Sequence, residues 1–190
     1  MADTGHQESS LPQRIVTIFG SSKPEEGTQE YEDARLLGER LASNGLSVCT
    51  GGYRGTMEAV SKGASQYDVK IIGVTSAIFS PTPNQYVNVQ IHTQTLYERL
   101  EKLVDLGDGY LILKGGTGTL VEFAMVWELM NKGLTPEKPI IAVAQNWKPI
   151  VEVLDRELKS EGMVSCAKYV RLAKDAAEAA EMMLKALAPR

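Results

Sequence analysis

Cysteine and histidine are scarce in this chain. Its 190 residues hold two of each. Cys49 and Cys166 are isolated, so they suggest neither a disulfide framework nor a zinc site. His6 lies in a polar N-terminal stretch, which leaves His92 as the one histidine expected to be ordered. Metal centres and Ser-His or Cys-His catalysis therefore have little to work with. Positive charge is not in excess either. The formal net charge is −4, which offers no basic field to nucleic acid or to an anionic membrane. No apolar run approaches the roughly 20 residues of a membrane span. The opening MADTGHQESSLPQ lacks an apolar signal core, so a cytoplasmic protein is expected. Internal repeats, low-complexity blocks and a second-domain linker are also missing.

What is present is an ordinary globular composition, 43% apolar and 23% charged, on a chain long enough for one sizeable core. Residues 1–13 are expected to form a mobile tail and 14–190 a single domain. Short β-branched runs mark strands at 15–20, 47–50, 70–74, 87–92, 110–114 and 140–144, with a shorter one at 168–172. Helical patterns fill roughly 28–44, 55–66, 94–106, 118–132, 147–161 and 174–187. This alternation predicts an α/β fold of βαβ units, with a mainly parallel sheet flanked by helices. Ligands in such folds bind beyond the carboxyl ends of the strands. Those ends read FGSS, TGGYRG, VTSA and LKGGTGT, and three of the four are rich in Gly, Ser and Thr. The two prolines and the asparagines of SAIFSPTPNQYVN (76–88) mark a loop at one strand end, either part of a binding wall or a plain connector.

The turn GGTGT combines small residues with a helix that follows directly. Glycine lets a backbone approach a ligand closely, and a helix N-terminus presents free N–H groups and the positive end of its dipole. Gly115, Gly116, Thr117, Gly118 and Thr119 therefore form a candidate phosphate site. A tight strand-to-helix turn with no ligand is the alternative. It is not a Walker loop, because Gly-Lys-Ser/Thr does not occur. It is not a dinucleotide fingerprint, because the turn comes late and Val121 occupies the third glycine's place. Gly51, Gly52 and Gly55 suit a second close backbone approach. Arg54 beside them can face a phosphate, a neighbouring subunit or only water.

Helix 118–132 is apolar on nearly every side, from Leu120 and Val121 to Leu129 and Met130. One sheet cannot cover that much surface, so a homodimer built partly on this helix is expected. Glu122 is the conspicuous exception in its first turn. Thr119 and Glu122 have the spacing of a capping box. The same carboxylate would also lie close to any anion held by GGTGT, where it could act on the group the phosphate anchors. In the preceding helix, Leu96, Leu100, Leu103 and Val104 predict a buried stripe. Arg99 borders that stripe and either reaches inward to a ligand or snorkels to solvent.

Together these residues resemble the Lonely Guy family, often labelled "possible lysine decarboxylase". Its signature PGGxGTxxE is matched by KGGTGTLVE at 114–122, through Gly115, Gly116, Gly118, Thr119 and Glu122. In that register Arg99 matches the family's arginine and Asp108 its usual aspartate. FGSS at 19–22, with Gly20, Ser21 and Ser22, matches the first strand end. GGYRGTM at 51–57 resembles GGxxGLM. The resemblance covers about residues 14–150. Four departures stand out: Lys114 for proline, Leu100 for the lysine of an Arg-Lys pair, Thr56 for leucine, and Val121 for the first acid of a TLEE string.

The resemblance implies a Rossmann-like fold, a homodimer, and hydrolysis of cytokinin nucleoside 5′-monophosphates to free base and ribose 5-phosphate. Related proteins act on other nucleoside monophosphates. Arg99 and Glu122 would be catalytic, and the glycine turns would bind the substrate. No pyridoxal-phosphate lysine site is evident, and neither cofactor nor metal is expected. A non-catalytic nucleotide or molybdenum-cofactor carrier or sensor of the same architecture is the alternative from another class.

Overall fold

The computed structural model describes residues 13–162 and 166–188. The expected tail falls outside these residues except for Gln13, as does His6. Seven strands form one sheet: β1 (Ile15–Phe19), β2 (Ser47–Thr50), β3 (Ile71–Ser76), β4 (Val89–Thr93), β5 (Gly109–Ile112), β6 (Ile140–Val143) and β7 (Val170–Ala173). Six helices connect them: α1 (Gln29–Ser43), α2 (Thr56–Ala64), α3 (Leu96–Leu106), α4 (Thr117–Asn131), α5 (Ala144–Ser160) and α6 (Ala176–Ala186). A short 3-10 turn, Cys166–Tyr169, precedes β7. The sheet order is β4-β3-β2-β1-β5-β6-β7, and every ladder is parallel. This is a single Rossmann-like α/β domain.

Alternation along the strands builds two cores. Val16 and Ile18 of β1, Val48 of β2 and Leu111 of β5 face α1, α2 and α6. Phe19, Cys49, Tyr110 and Ile112 face the opposite layer of α3, α4 and α5. Both faces are covered, so the central strands are buried and mostly apolar, with Thr17, Ser47 and Thr50 as their buried polar members. On the second face Phe123 of α4 stacks on Trp127 at 5.3 Å and meets Trp147 of α5 edge-on at 5.4 Å. The Trp147 indole also donates to the Leu113 carbonyl at 2.9 Å, which fixes the start of α5 beside the end of β5.

Two sequence expectations need correction. Helix α5 begins at Ala144 rather than 147, with Pro149 inside it. The helix starts directly at the end of β6, one turn before its first buried residue, Trp147. Leu96 is not part of the buried stripe of α3. It is 40% exposed, and Arg99 is buried with Leu100, Leu103 and Val104 instead. Helix α4 buries Phe123, Val126, Trp127 and Met130 and leaves Leu120 and Val121 exposed, in keeping with the expectation that one sheet cannot cover all of its apolar surface.

The strand order sets the position of any site. From β1 the chain winds outward through β2, β3 and β4, then returns to β5 on the other side of β1 and winds the opposite way. The switch point therefore lies between the carboxyl ends of β1 and β5. The two ends are tied there: Leu113 N–H donates to Phe19 O at 2.9 Å, and Ser21 N–H to Lys114 O at 3.0 Å. Asp108 lies at the opposite end of these strands. It accepts the Ile15 N–H at 2.8 Å, and its own N–H returns to Ile15 O at 2.7 Å.

Candidate functional site

A cleft of about 1060 Å³ opens at the switch point. Gly20, Ser21 and Ser22 line it from the end of β1. Gly116, Thr117, Gly118 and Thr119 line it from the start of α4, and Arg99 and Glu122 stand within it. The wall opposite is the loop after β3, through Phe79, Ser80 and residues 82–85. The loop 76–88 thus supplies a wall of the cleft and is more than a connector.

Helix α4 starts at Thr117 with Gly116 as its N-cap residue, and no side chain caps its first turn. Its first N–H groups have no partner within the helix, so they remain donors for something else. This start also removes the capping-box account of Glu122. Thr119 is the third helical residue, not the cap, and Glu122 lies in the second turn. No acid occupies the first turn at all. Helix α3 shows the same string acting as a side-chain cap, with Thr95 as its N-cap residue and Gln94 the residue before it. Thr95 accepts the Glu98 N–H at 3.2 Å, and Glu98 accepts the Gln94 N–H at 2.8 Å.

The glycines separate into two groups by what surrounds them. A Cβ on Gly51 would come within 1.9 Å of the Arg99 guanidinium, and one on Gly115 within 2.1 Å of Thr119 Oγ1. Gly52, at φ +75, packs against Gly73. At these three, contacts within the protein demand glycine, and at Gly52 the left-handed backbone does so as well. Gly116 and Gly118 differ. Neither has a positive φ, and a Cβ at either would meet nothing within 4 Å. Nothing in the protein requires glycine there, yet both face the cleft.

Arg99 does not snorkel. It is 7% exposed. Its Nε donates to Val74 O at 3.0 Å, and its Nη1 reaches Glu122 Oε1 at 3.4 Å. The guanidinium lies 5.7 Å from the centre of the Tyr53 ring and 5.9 Å from that of Phe79, within cation–π range. The Glu122 side chain is 12% exposed. Burial pushes its carboxyl up from 4.5 to about 7, against the opposing pull of Arg99. A carboxyl titrating near neutrality can exchange a proton in either direction at ordinary pH. Cys49 lies beneath this pair. It is fully buried, and burial drives its thiol up to about 12, so it is no nucleophile.

Sequence reasoning missed Tyr53, Phe79 and Met57 as cleft residues. For Tyr53 a signal existed, an aromatic ring inside the GGYRG turn. Arg54 also lines the cleft and is exposed. Among the described residues no group of His, Cys, Asp and Glu could hold a metal ion. No helix among them is long and apolar enough to cross a membrane.

A family model described as SLOG cluster4 matches residues 13–172. The chain belongs to the SLOG cluster4 family. This SLOG cluster4 chain is 31% identical over 189 residues to the pyrimidine/purine nucleotide 5′-monophosphate nucleosidase of Escherichia coli strain K12. That match covers 93% of the chain but only 41% of the curated relative's length. It is 26% identical over 165 residues to the cytokinin riboside 5′-monophosphate phosphoribohydrolase of Rhodococcoides fascians, covering 84% of the chain and 82% of that protein. Among solved structures, the molybdenum cofactor binding protein of Rippkaea orientalis superposes with a TM-score of 0.71 at 24% identity, over 94% of this chain and all of that one. The molybdenum cofactor carrier protein of Chlamydomonas reinhardtii gives 0.72 at 21% identity, over 93% and 99%. These SLOG-like neighbours establish the fold. They include both nucleotide-cleaving enzymes and carriers.

Proposed function

We propose that this protein hydrolyses the N-glycosidic bond of a nucleoside 5′-monophosphate, releasing free base and ribose 5-phosphate. The observation that carries this reading is the pairing of two features in one cleft. One is an uncapped helix N-terminus with two glycines that packing does not require. The other is the buried Arg99–Glu122 pair. The first suits a phosphate, and the second suits developing positive charge on a sugar beside it. The relatives named as acting on nucleotide monophosphates support the same class.

In this reading the N–H groups of residues 117–119 and the Thr117 hydroxyl hold the 5′-phosphate. Glu122 faces the ribose. As the C1′–N bond breaks, its electron pair leaves with the base, and the sugar gains oxocarbenium character that the carboxylate stabilises. Water adds to C1′, giving up a proton that Glu122 accepts and the departing base finally takes. Arg99 fixes the carboxylate and keeps a fraction of it ionised. A pure carrier of an anionic ligand gains nothing from a buried acid beside the anion, because like charge weakens binding. That argues against the carrier reading, which the solved neighbours support only through their fold. Incubating the protein with a panel of nucleoside monophosphates and measuring free base tests the proposal. Tight binding with no base release on any of them would replace it with the carrier.

Gly118 offers a separate test of the phosphate cradle. Gly118→Ala should leave the melting temperature unchanged or slightly higher, since alanine is the better helix former. Its methyl group should occupy space meant for the ligand, weakening affinity for ribose 5-phosphate by at least about 10-fold, or ~1.4 kcal/mol. Unchanged affinity by calorimetry would show that no ligand approaches that backbone.

The proposed assembly is a homodimer. Leu120 and Val121 of α4 and Leu96 and Tyr97 of α3 are exposed on two helices joined by the Arg99–Glu122 contact. A second copy placing the same surface opposite would bury all four. Light scattering at micromolar concentration should give twice the chain mass, and Val121→Asp should halve it. A monomer in the unmodified protein would overturn the assembly.

A further inference from the structure

We propose that Phe79 is a stacking platform for the nucleobase, and so a determinant of which ligands the cleft accepts. The proposal rests on the nucleotide reading above and adds the subsite which that reading leaves open. Phe79 is 61% exposed, although it lines the cleft. A large apolar ring held open beside polar groups calls for an apolar, flat occupant, and its burial is otherwise forgone.

The loop around it keeps the ring there. Phe79 N–H donates to Ser76 O at 3.1 Å, and Ser76 and Ser80 form an antiparallel bridge. The Tyr53 hydroxyl accepts the Ser76 N–H at 2.8 Å and donates toward Ser80 O at 2.9 Å. Beyond Phe79, the Asn84 side-chain amide donates to Gly52 O at 3.2 Å and Tyr53 O at 3.0 Å, and Gln90 Nε2 donates to Pro81 O at 2.5 Å. The loop is thus pinned on both sides of the ring. Phe79 meets Tyr53 edge-on, at 6.1 Å and 81°. An edge contact covers little of an aromatic surface and leaves room for a planar partner.

Position agrees with composition. The Phe79 centroid is 5.9 Å from the guanidinium that holds Glu122, and the α4 N-terminus lines the same cleft. A nucleoside monophosphate carries an anionic end and an aromatic end with the sugar between them. The cleft offers an anion site and an aromatic site with the Arg99–Glu122 pair between them in function. Stacking is tolerant of base identity, because every base has a π-face. Phe79 therefore favours a ligand with a base over one without, more than it favours one base over another.

The test compares adenosine 5′-monophosphate with ribose 5-phosphate by calorimetry, in a Glu122→Gln background so that the mononucleotide is not consumed. Phe79→Ala should weaken the mononucleotide on the order of 10-fold, in line with alanine substitution of stacking residues. Ribose 5-phosphate should change by less than about twofold, since it has no base to stack. Phe79→Trp should restore the loss. Melting temperature and scattering mass accompany each variant. Equal losses on both probes, or no loss on the mononucleotide, would overturn the stacking role while leaving the phosphate site intact. A dimer that falls apart in Phe79→Ala would make the residue an interface contact and overturn it as well. Failure of both probes to bind before Phe79 is changed would overturn the nucleotide reading itself.

Discussion

Glu122→Gln is expected to lower base release by about 10²-fold or more, the scale on which enzymes lose electrostatic or acid–base groups. Glutamine fills the same space, so the loss isolates charge and proton exchange from packing. Nucleotide affinity should persist or tighten, because a negative charge near the phosphate has gone. The pH dependence supplies a second signature. In the unfolded chain the carboxyl titrates near 4.5, and in the fold it is raised to about 7. Between these values the native state holds the extra proton. Stability is therefore greatest at the acid side of this window and falls as pH rises through it, by about 3 kcal/mol at most. Denaturant titrations of the wild type from pH 5 to pH 8 should show that decline, and Glu122→Gln should flatten it. Base release should move the other way and rise through neutrality as the carboxylate forms. Unchanged base release in a well-folded variant would sink the catalytic assignment. A flat wild-type stability profile would show that the carboxyl is not buried as described.

The fold was legible because its signals are local. Runs such as IVTIF and IIAV are short, β-branched and bounded by glycine or polar turns, so the strands and their parallel arrangement followed from spacing. GGTGT and Glu122 were legible for the same reason, being contiguous. Their meaning was less so. The string Thr-Leu-x-Glu occurs twice, at 95–98 and 119–122. At Thr95 the threonine caps its helix, and at Thr119 it does not, because that helix has already begun at Thr117. Sequence spacing is identical in the two cases, and only the backbone phase differs. Tyr53 and Phe79 were hidden for a different reason. They meet because the loop after β3 folds back over the turn after β2, a contact between residues far apart in sequence.

Arg99 shows how far such non-local placement changes an expectation. From spacing alone it borders the apolar stripe, and Arg99→Ala would then spare the fold and remove turnover. The structure buries it across Gly51, with Val74 O and Glu122 as partners. Removing it orphans a buried carbonyl and leaves a carboxylate without its counter-ion. Breaking a buried pair in this way costs about 3–5 kcal/mol when the remaining charge cannot be neutralised. Glu122 can be neutralised, since it already titrates near 7. Arg99→Ala should therefore be folded at pH 6, where Glu122 takes a proton, and clearly destabilised at pH 8. Its titration should move above that of the wild type, because the one group lowering it has gone. Turnover should fall by on the order of 10²-fold at both pH values, since at either the ionised and oriented carboxylate is lost. Arg99→Lys should recover stability at pH 8 by restoring charge. It should recover little turnover, because an ammonium cannot hold Val74 O and Glu122 in one planar fork. The deciding measurement is base release on Arg99→Ala at pH 6 with the melting transition recorded on the same sample. Wild-type turnover in that folded variant would remove Arg99 from the reaction and leave it a packing residue over Gly51.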